Sequence, residues 1–215
     1  MRVRDRLRVS ERRQRQITRA MELSLVGILF VGFDRGNPGI VVNAGLAFLV
    51  TLVPAVLERD YDIPMDAGLT LWITVAVFLH ALGTLGPYQN VWWYDHVTHA
   101  LSASLIAAAG YATVRAIDEH YSGVVLPPRF VFVFILLFVV AFGVVWEVIE
   151  FAIGGMASVF GGKAVLTQYG LEDTMKDLLF NTAGAIVTAL WGTAHLNGVV
   201  GALTDRLDAS GRSAD

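Results

Sequence analysis

An acid and two histidines, Asp95, His96 and His99, open one apolar segment of this chain. Glu147 and Glu150 close the next, Asp173, Asp177 and Asn181 open the one after it, and His80 lies near the end of the segment before them all. On helices, Asp95 and His99 stand at i,i+4, Glu147 and Glu150 at i,i+3, and Asp173, Asp177 and Asn181 at i,i+4,i+8, so each set projects from one helix face. Imidazole and carboxylate together are ligands for Zn, Mn or Fe, and a further carboxylate can serve as general base to a cation-activated water. The metal-ligand candidates are therefore His80, Asp95, His96, His99, Glu147, Glu150, Asp173 and Asp177, with Glu147, Glu150 and Asp177 as catalytic candidates. The chain has no Cys, which excludes disulfides, thiolate metal sites and Cys nucleophiles. No Gly-rich phosphate loop, HExxH or GxSxG occurs, and Gly161-Gly162-Lys163-Ala164 lacks the Walker spacing and hydroxyl.

Singly, several of these residues have plainer roles. Asp95 and Asp173 are good N-caps, His96 suits a membrane interface, and His80 or His99 could be hydrogen-bonded core histidines. Glu147 and Glu150 resist such readings because acids near a helix C-terminus oppose its dipole. Asp177 and Asn181 sit too deep in their segment to be caps.

The elements that must position these groups follow from composition. Of 215 residues 55% are hydrophobic and only 16% charged, a balance foreign to soluble globular domains, so the apolar excess must face lipid. The sequence predicts an all-α, polytopic helical membrane bundle of about six spans, near Ile17–Phe33, Pro38–Leu57, Ala67–Gly86, Asp95–Ala116, Phe130–Ile153 and Asp173–Leu196. Polar or Pro/Gly-bearing breaks separate them: Asp34-Arg35-Gly36-Asn37-Pro38, Glu58-Arg59-Asp60-Tyr61-Asp62, Gly86-Pro87-Tyr88-Gln89-Asn90 and Leu126-Pro127-Pro128-Arg129. Asp118 and Glu119 fall in the connection after the fourth span. The longest connection, Gly154 to Glu172, carries Gly154-Gly155 and Gly161-Gly162 and reads as a loop or re-entrant element. Because alternate spans run in opposite directions, all the site candidates share one membrane face whatever the absolute orientation. Small residues such as Ala100, Ser104, Ala107, Ala183 and Gly184 mark where helices approach closely.

Orientation follows from charge. Arg2, Arg4, Arg6, Arg8, Arg12, Arg13, Arg15 and Arg19 place half of the 16 Lys and Arg in the first nineteen residues of a chain whose net charge is −3. With this head inside, Arg59, Arg115, Arg129, Arg206 and Arg212 also face the cytoplasm, leaving Arg35, Lys163 and Lys176 outside, as the positive-inside rule requires. The expectation is a cell-membrane, multi-pass protein with a basic cytoplasmic segment over 1–16, a six-span domain over 17–196 and a cytoplasmic tail over 197–215. A signal peptide is not expected, since Phe33-Asp34-Arg35-Gly36-Asn37-Pro38 offers no small-x-small cleavage site. The Arg cluster lacks interleaved aromatics and leads straight into an apolar helix, so its partner is anionic membrane lipid and not nucleic acid. Trp92-Trp93-Tyr94 reads as an interfacial anchor.

The motifs His80 with Gly83, Tyr94-Asp95-His96-Val97-Thr98-His99, Trp146-Glu147-Val148-Ile149-Glu150-Phe151 and Asp173-Thr174-Met175-Lys176-Asp177 with Asn181-Thr182-Ala183-Gly184-Ala185 resemble, in order, those of the YjdF-like family of bacterial and archaeal membrane proteins. They are more distantly similar to the VanZ-like family associated with teicoplanin resistance, whose pattern falls on Asp95, His99, Glu147, Asp177, Asn181 and Gly184. Glu150 stands where VanZ-like proteins usually carry Gln, and Phe151 where YjdF-like proteins usually carry Trp. The resemblance spans roughly residues 70 to 195 and implies a multi-spanning protein with a shared polar site.

Three functions fit these residues. The leading one is a metal-assisted hydrolase or transferase acting on a lipid-linked or envelope substrate at the outer face. The second is a carrier of protons or divalent cations, in which the same carboxylates titrate or coordinate in transit. The third is a structural or assembly protein whose polar cluster only joins helices.

Overall fold

The computed structural model describes residues 9–160, 165–166, 170–192 and 196–212. Arg2, Arg4, Arg6, Arg8, Gly161, Gly162 and Lys163 lie outside the described residues. Among the described residues eight α-helices follow in order: α1 Glu11–Asp34, α2 Pro38–Tyr61, α3 Ala67–Gly83, the single turn α4 Pro87–Asn90, α5 Tyr94–His120, α6 Pro128–Phe160, α7 Leu171–Val187 and α8 Asn197–Arg212. A π-helical turn, Thr188–Gly192, prolongs α7, and there is no strand among the described residues.

Over their described residues, all six apolar runs fold as helices. Four of them, α1, α2, α5 and the Pro128–Val159 part of α6, are long and apolar enough to cross a membrane unaided. α3 and α7 have 17 residues each, about 25 Å at 1.5 Å per residue against a hydrocarbon core of about 30 Å. The breaks work by identifiable chemistry. The Asn37 side chain accepts from the amides of Gly39 and Ile40, capping α2 just ahead of Pro38 at its first position, and Asp62 ends that helix in the left-handed region at φ 50°. The Asp66 carboxylate caps α3 through the Leu69 amide at 2.8 Å.

The helices form two groups. α1, α2 and α3 enclose a core that includes Leu25, Ile28, Ile40, Ala44 and Ala81, while α5, α6 and α7 enclose one that includes Ala107, Ile135, Val139 and Ala185. α3 against α5 joins the groups, and α2 and α6 hardly touch. Within the second group α5 and α7 approach most closely, because a Cβ at Gly184 would stand 2.0 Å from the Ala100 carbonyl oxygen.

Three local expectations change. Asp118 and Glu119 belong to the last turns of α5 and not to a loop, and Asp118 ties down the following connection by pairing with Arg115 and accepting from the Leu126 amide at 2.7 Å. Gly154-Gly155 lie inside α6, whose backbone bonds are satisfied within the helix wherever lipid denies them water. Residues 197–212, expected as tail, form α8 against α5, with Val200 and the preceding Leu196 buried. Asp208 there pairs with His120, and Arg206 donates to the Tyr61 carbonyl at 2.7 Å while stacking over the Tyr61 ring.

Candidate functional site

Asp95 and His99 lie one turn apart at the start of α5, and Asp177 lies on the second turn of α7 facing them. His99 Nε2 is 3.5 Å from Asp95 Oδ1 and 3.7 Å from Asp177 Oδ1, beyond ordinary hydrogen-bond length. One nitrogen or oxygen from each of the three lies within 4.8 Å of the others. A tetrahedral ion with ligands at 2.0–2.1 Å has ligand edges of about 3.3 Å, so two edges are within a few tenths of an ångström of that geometry. Asp177 is only 2% exposed, and its Oδ1 has no hydrogen-bond partner.

The N-cap of α5 is Trp93 and that of α7 is Gly170, and neither helix has a side-chain cap; Asp95 and Asp173 instead sit inside the first turns. Both acids therefore meet the positive end of the helix dipole without being the N-cap residue.

α6 supplies the remaining acids. Thr174 Oγ1 donates to Glu147 Oε2 at 2.8 Å and Trp146 Nε1 donates to Glu150 Oε1 at 3.1 Å, while Glu147 Oε1 is buried without a partner. Asp95, Asp173, Glu147 and Glu150 all lie within electrostatic reach of Asp177. Lys176, the ammonium nearest in sequence, is drawn off to Glu172 at 2.7 Å. Two ionised carboxylates 4.8 Å apart repel by about 3.5 kcal/mol at an effective dielectric of 20, so the cluster calls for a bridging cation or shared protons.

The first helix group provides the opposite wall. Asn43 Nδ2 donates to the carbonyls of Gly39 at 2.8 Å and Val165 at 2.9 Å, which turns Oδ1 toward His80 Nε2 at 3.1 Å. Nε2 must then carry the proton, leaving Nδ1 to accept from the Tyr88 hydroxyl at 2.8 Å. Thr98 Oγ1 lies 3.4 Å from the same hydroxyl but gives its own proton to the Asp95 carbonyl, so the shorter bond to His80 prevails. Gly83 makes room for this arrangement, since a Cβ there would stand 2.4 Å from the Tyr88 ring. Between the walls is a cavity of about 340 Å³, lined among others by Arg35, His80, Asp95, His99, Glu150, Asp173 and Asp177.

Comparison with known proteins agrees with this picture of a helical membrane protein. A family model described as a predicted membrane protein, DUF2238, matches residues 17–198. The chain belongs to this family. It is also 28% identical over 138 residues to an uncharacterised protein of Thermotoga maritima, a match covering 63% of this chain and 67% of the relative. No solved structure matches. The matched stretch contains every residue of the site, the whole of α2 to α7 and α1 from Ile17 onward, in keeping with a multi-pass membrane protein.

Within this member, the eight ligand candidates separate. Asp95, His99 and Asp177 converge; Glu150 and Asp173 line the same cavity; Glu147 lies behind it between α6 and α7. His80 is corrected from ligand to wall, because both ring nitrogens are already engaged. His96 lies apart from the converging three, though its buried Nδ1 also has no hydrogen-bond partner. One residue beyond Asp95 it points about 100° further round the helix, and its ring stacks on Phe180 at 4.4 Å, bordering a separate groove beside Ala100 and Gly184. Sequence reading missed Asn43, Tyr88 and Thr174. A lone Asn in an otherwise apolar span was a usable signal; Tyr88, in a stretch read only as a helix breaker, and Thr174 gave none.

Proposed function

We propose that the protein is a cation-dependent hydrolase or transferase of the membrane, acting on a lipid-linked or envelope substrate, with Asp95, His99 and Asp177 holding a Zn, Mn or Fe ion. The observation that carries this reading is Asp177 Oδ1, a buried carboxylate oxygen without a hydrogen-bond partner, in ligand range of an imidazole and beside a second carboxylate. Leaving such an oxygen unsatisfied costs about 1–3 kcal/mol or more, and a cation removes that cost. A cation held by three protein ligands keeps positions open toward the cavity, where it would activate water and polarise a phosphoryl or acyl oxygen.

Glu150 is the general base in this scheme. Its carboxylate lines the cavity and is oriented by Trp146, whereas Glu147 is held by Thr174 away from the opening. His80, locked as the Nε2–H tautomer, bounds the substrate space and presents no charge to it.

A carrier role finds less support. No acidic, basic or imidazole side chain occurs in α2 from Pro38 to Leu57, in α5 from Ala100 to Val114, in α6 from Phe130 to Trp146 or in α7 from Leu178 to Val187. A path of titrating groups to the opposite face is thus missing from those helices. By the positive-inside rule, the basic N-terminal segment supports a cytoplasmic N-terminus and a site at the outer face of the cell membrane. The resemblance to YjdF-like proteins, and more distantly to VanZ-like ones, runs through the same four segments and supports a shared polar site without naming its substrate.

Metal analysis of detergent-purified protein tests the reading. Wild type is expected to hold about one divalent ion per chain, Asp95→Asn and His99→Ala to lose it, and Glu150→Gln to keep it. Metal-free wild type after reconstitution with Zn, Mn and Fe in turn would end the proposal.

A further inference from the structure

The polar cavity does not end at the site. A second cavity of about 390 Å³ continues from it toward the middle of the bundle, and Asn43, His80 and His99 line both. Its walls change character at once. On α2 they are Leu46, Ala47 and Val50, and on α6 Val139, Phe142 and Trp146, each set repeating at the three- and four-residue spacing of one helix face. From Asn43 to Val50 is about 10 Å along the helix axis, a third of the hydrocarbon thickness. Both cavities have the size of small-molecule sites, 300–1,000 Å³.

Among the described residues this chamber is uncovered on one side. α2 and α6 hardly touch, and the side chains at their seam are exposed, Leu46 at 58% and Phe142 at 48%. At the polar end, Arg35 is the one guanidinium or ammonium among the described residues lining the cavity, and it makes no ion pair there. Planar guanidinium groups match phosphate oxygens bidentately.

We infer that the substrate is a phosphate-headed lipid that enters sideways between α2 and α6, its apolar chain in the chamber and its phosphate between the cation site and Arg35. The head-group assignment rests on the cation centre proposed above, since four carboxylates without a cation would repel phosphate. The chain assignment rests on the cavity and the seam. An ammonium-headed lipid is the competing occupant, because it would satisfy the carboxylates by displacing the cation.

The test uses the full chain in nanodiscs, with bound metal measured in every sample and dodecyl phosphate, dodecanol and dodecylammonium as probes in binding titrations. Leu46→Trp fills the portal from an exposed position, and Val53→Trp, also exposed on α2 but off the chamber, is its control. Metal-loaded wild type is expected to prefer the phosphate probe to the alcohol by at least about tenfold. Arg35→Ala is expected to erase most of that preference, leaving the alcohol unchanged. Leu46→Trp weakens the phosphate probe by a similar factor at full metal content, and Val53→Trp does not. If metal is bound and Leu46→Trp binds as wild type does, the portal is refuted while the cation centre stands. If the ammonium probe binds best and expels the metal, the phosphate assignment is refuted. Wild type without metal removes the cation centre and the phosphate assignment together.

Discussion

Replacing Asp177 with Asn separates a cation centre from a merely structural cluster by the sign of a stability change. Asn keeps the shape of the side chain and removes its charge. Without a cation, Asp177 faces Asp95 within 4.8 Å, a repulsion of about 3.5 kcal/mol at an effective dielectric of 20, so neutralising it stabilises the protein. With a cation at a hundred times its Kd, wild type gains about 2.7 kcal/mol of stability. A variant whose Kd is a hundredfold weaker gains only about 0.4 kcal/mol at the same concentration. For a chain of this size 1 kcal/mol moves Tm by about 2–4 °C, so metal raises the wild-type Tm by about 5–10 °C and that of Asp177→Asn by about 1 °C.

The assay is intrinsic-fluorescence melting, which the five Trp residues permit, in chelator and then in Zn, Mn or Fe. The expected result is a crossover: Asp177→Asn melts above wild type in chelator and gains far less from metal. A wild type whose Tm ignores every metal, with the variant more stable throughout, would falsify the cation centre and leave the acids as a helix-joining cluster.

Gly83→Ala drives a methyl group to 2.4 Å from the Tyr88 ring, so it is expected to cost about 1–3 kcal/mol and to break the Tyr88–His80 bond, whereas Gly154→Ala, with nothing within 4 Å, lowers Tm not at all. Melting of the two variants side by side checks this, and equal Tm values would contradict it. Asp118→Asn weakens the pair with Arg115 and the bond from the Leu126 amide, lowering stability by about 1–3 kcal/mol at unchanged metal content; a lost metal would mean the two ends of α5 are coupled. Single cysteines at Asn90 and Ala209, in a chain that has none, are expected to label from outside and from inside respectively, and equal labelling of both from outside would overturn the topology.

The helices were legible because each apolar run is long, and because Pro38, Asn37 and Asp66 mark starts by chemistry that sequence displays. The gathering of acids at one end was legible from parity alone. Which lone pairs remain free was not. His80 and His99 have the same type and similar settings in sequence, yet the first is taken up by Asn43 and Tyr88, residues 37 positions before and 8 after it, while the second faces two carboxylates. His96 shows the same limit, since a 100° step around α5 decides between the cavity and Phe180. α8 was missed because its few apolar residues are too sparse to outweigh a polar, charged composition; burial of Val200 and the preceding Leu196 against neighbouring helices is what orders it.

The division of labour between the two helix groups follows from where the ligands lie. Asp95 and His99 come from α5 and Asp177 from α7, the pair brought together by the absence of a side chain at Gly184. A cation there would therefore join helices that are already tightly packed, within a single group, and would do little to hold the groups together. The first group contributes no ligand, only His80 and Asn43 of the wall, which Tyr88 of α4 completes, and the guanidinium of Arg35 just after α1. The sparsely packed seam of α2 against α6 thus lies between the ligand set and a wall that supplies no ligand. In the proposed reading this seam gives the chain of a lipid an entry beside the ligand set, while Trp72 donating to Ser104 at 3.1 Å and Tyr94 donating to the Leu79 carbonyl at 2.7 Å keep α3 and α5 joined.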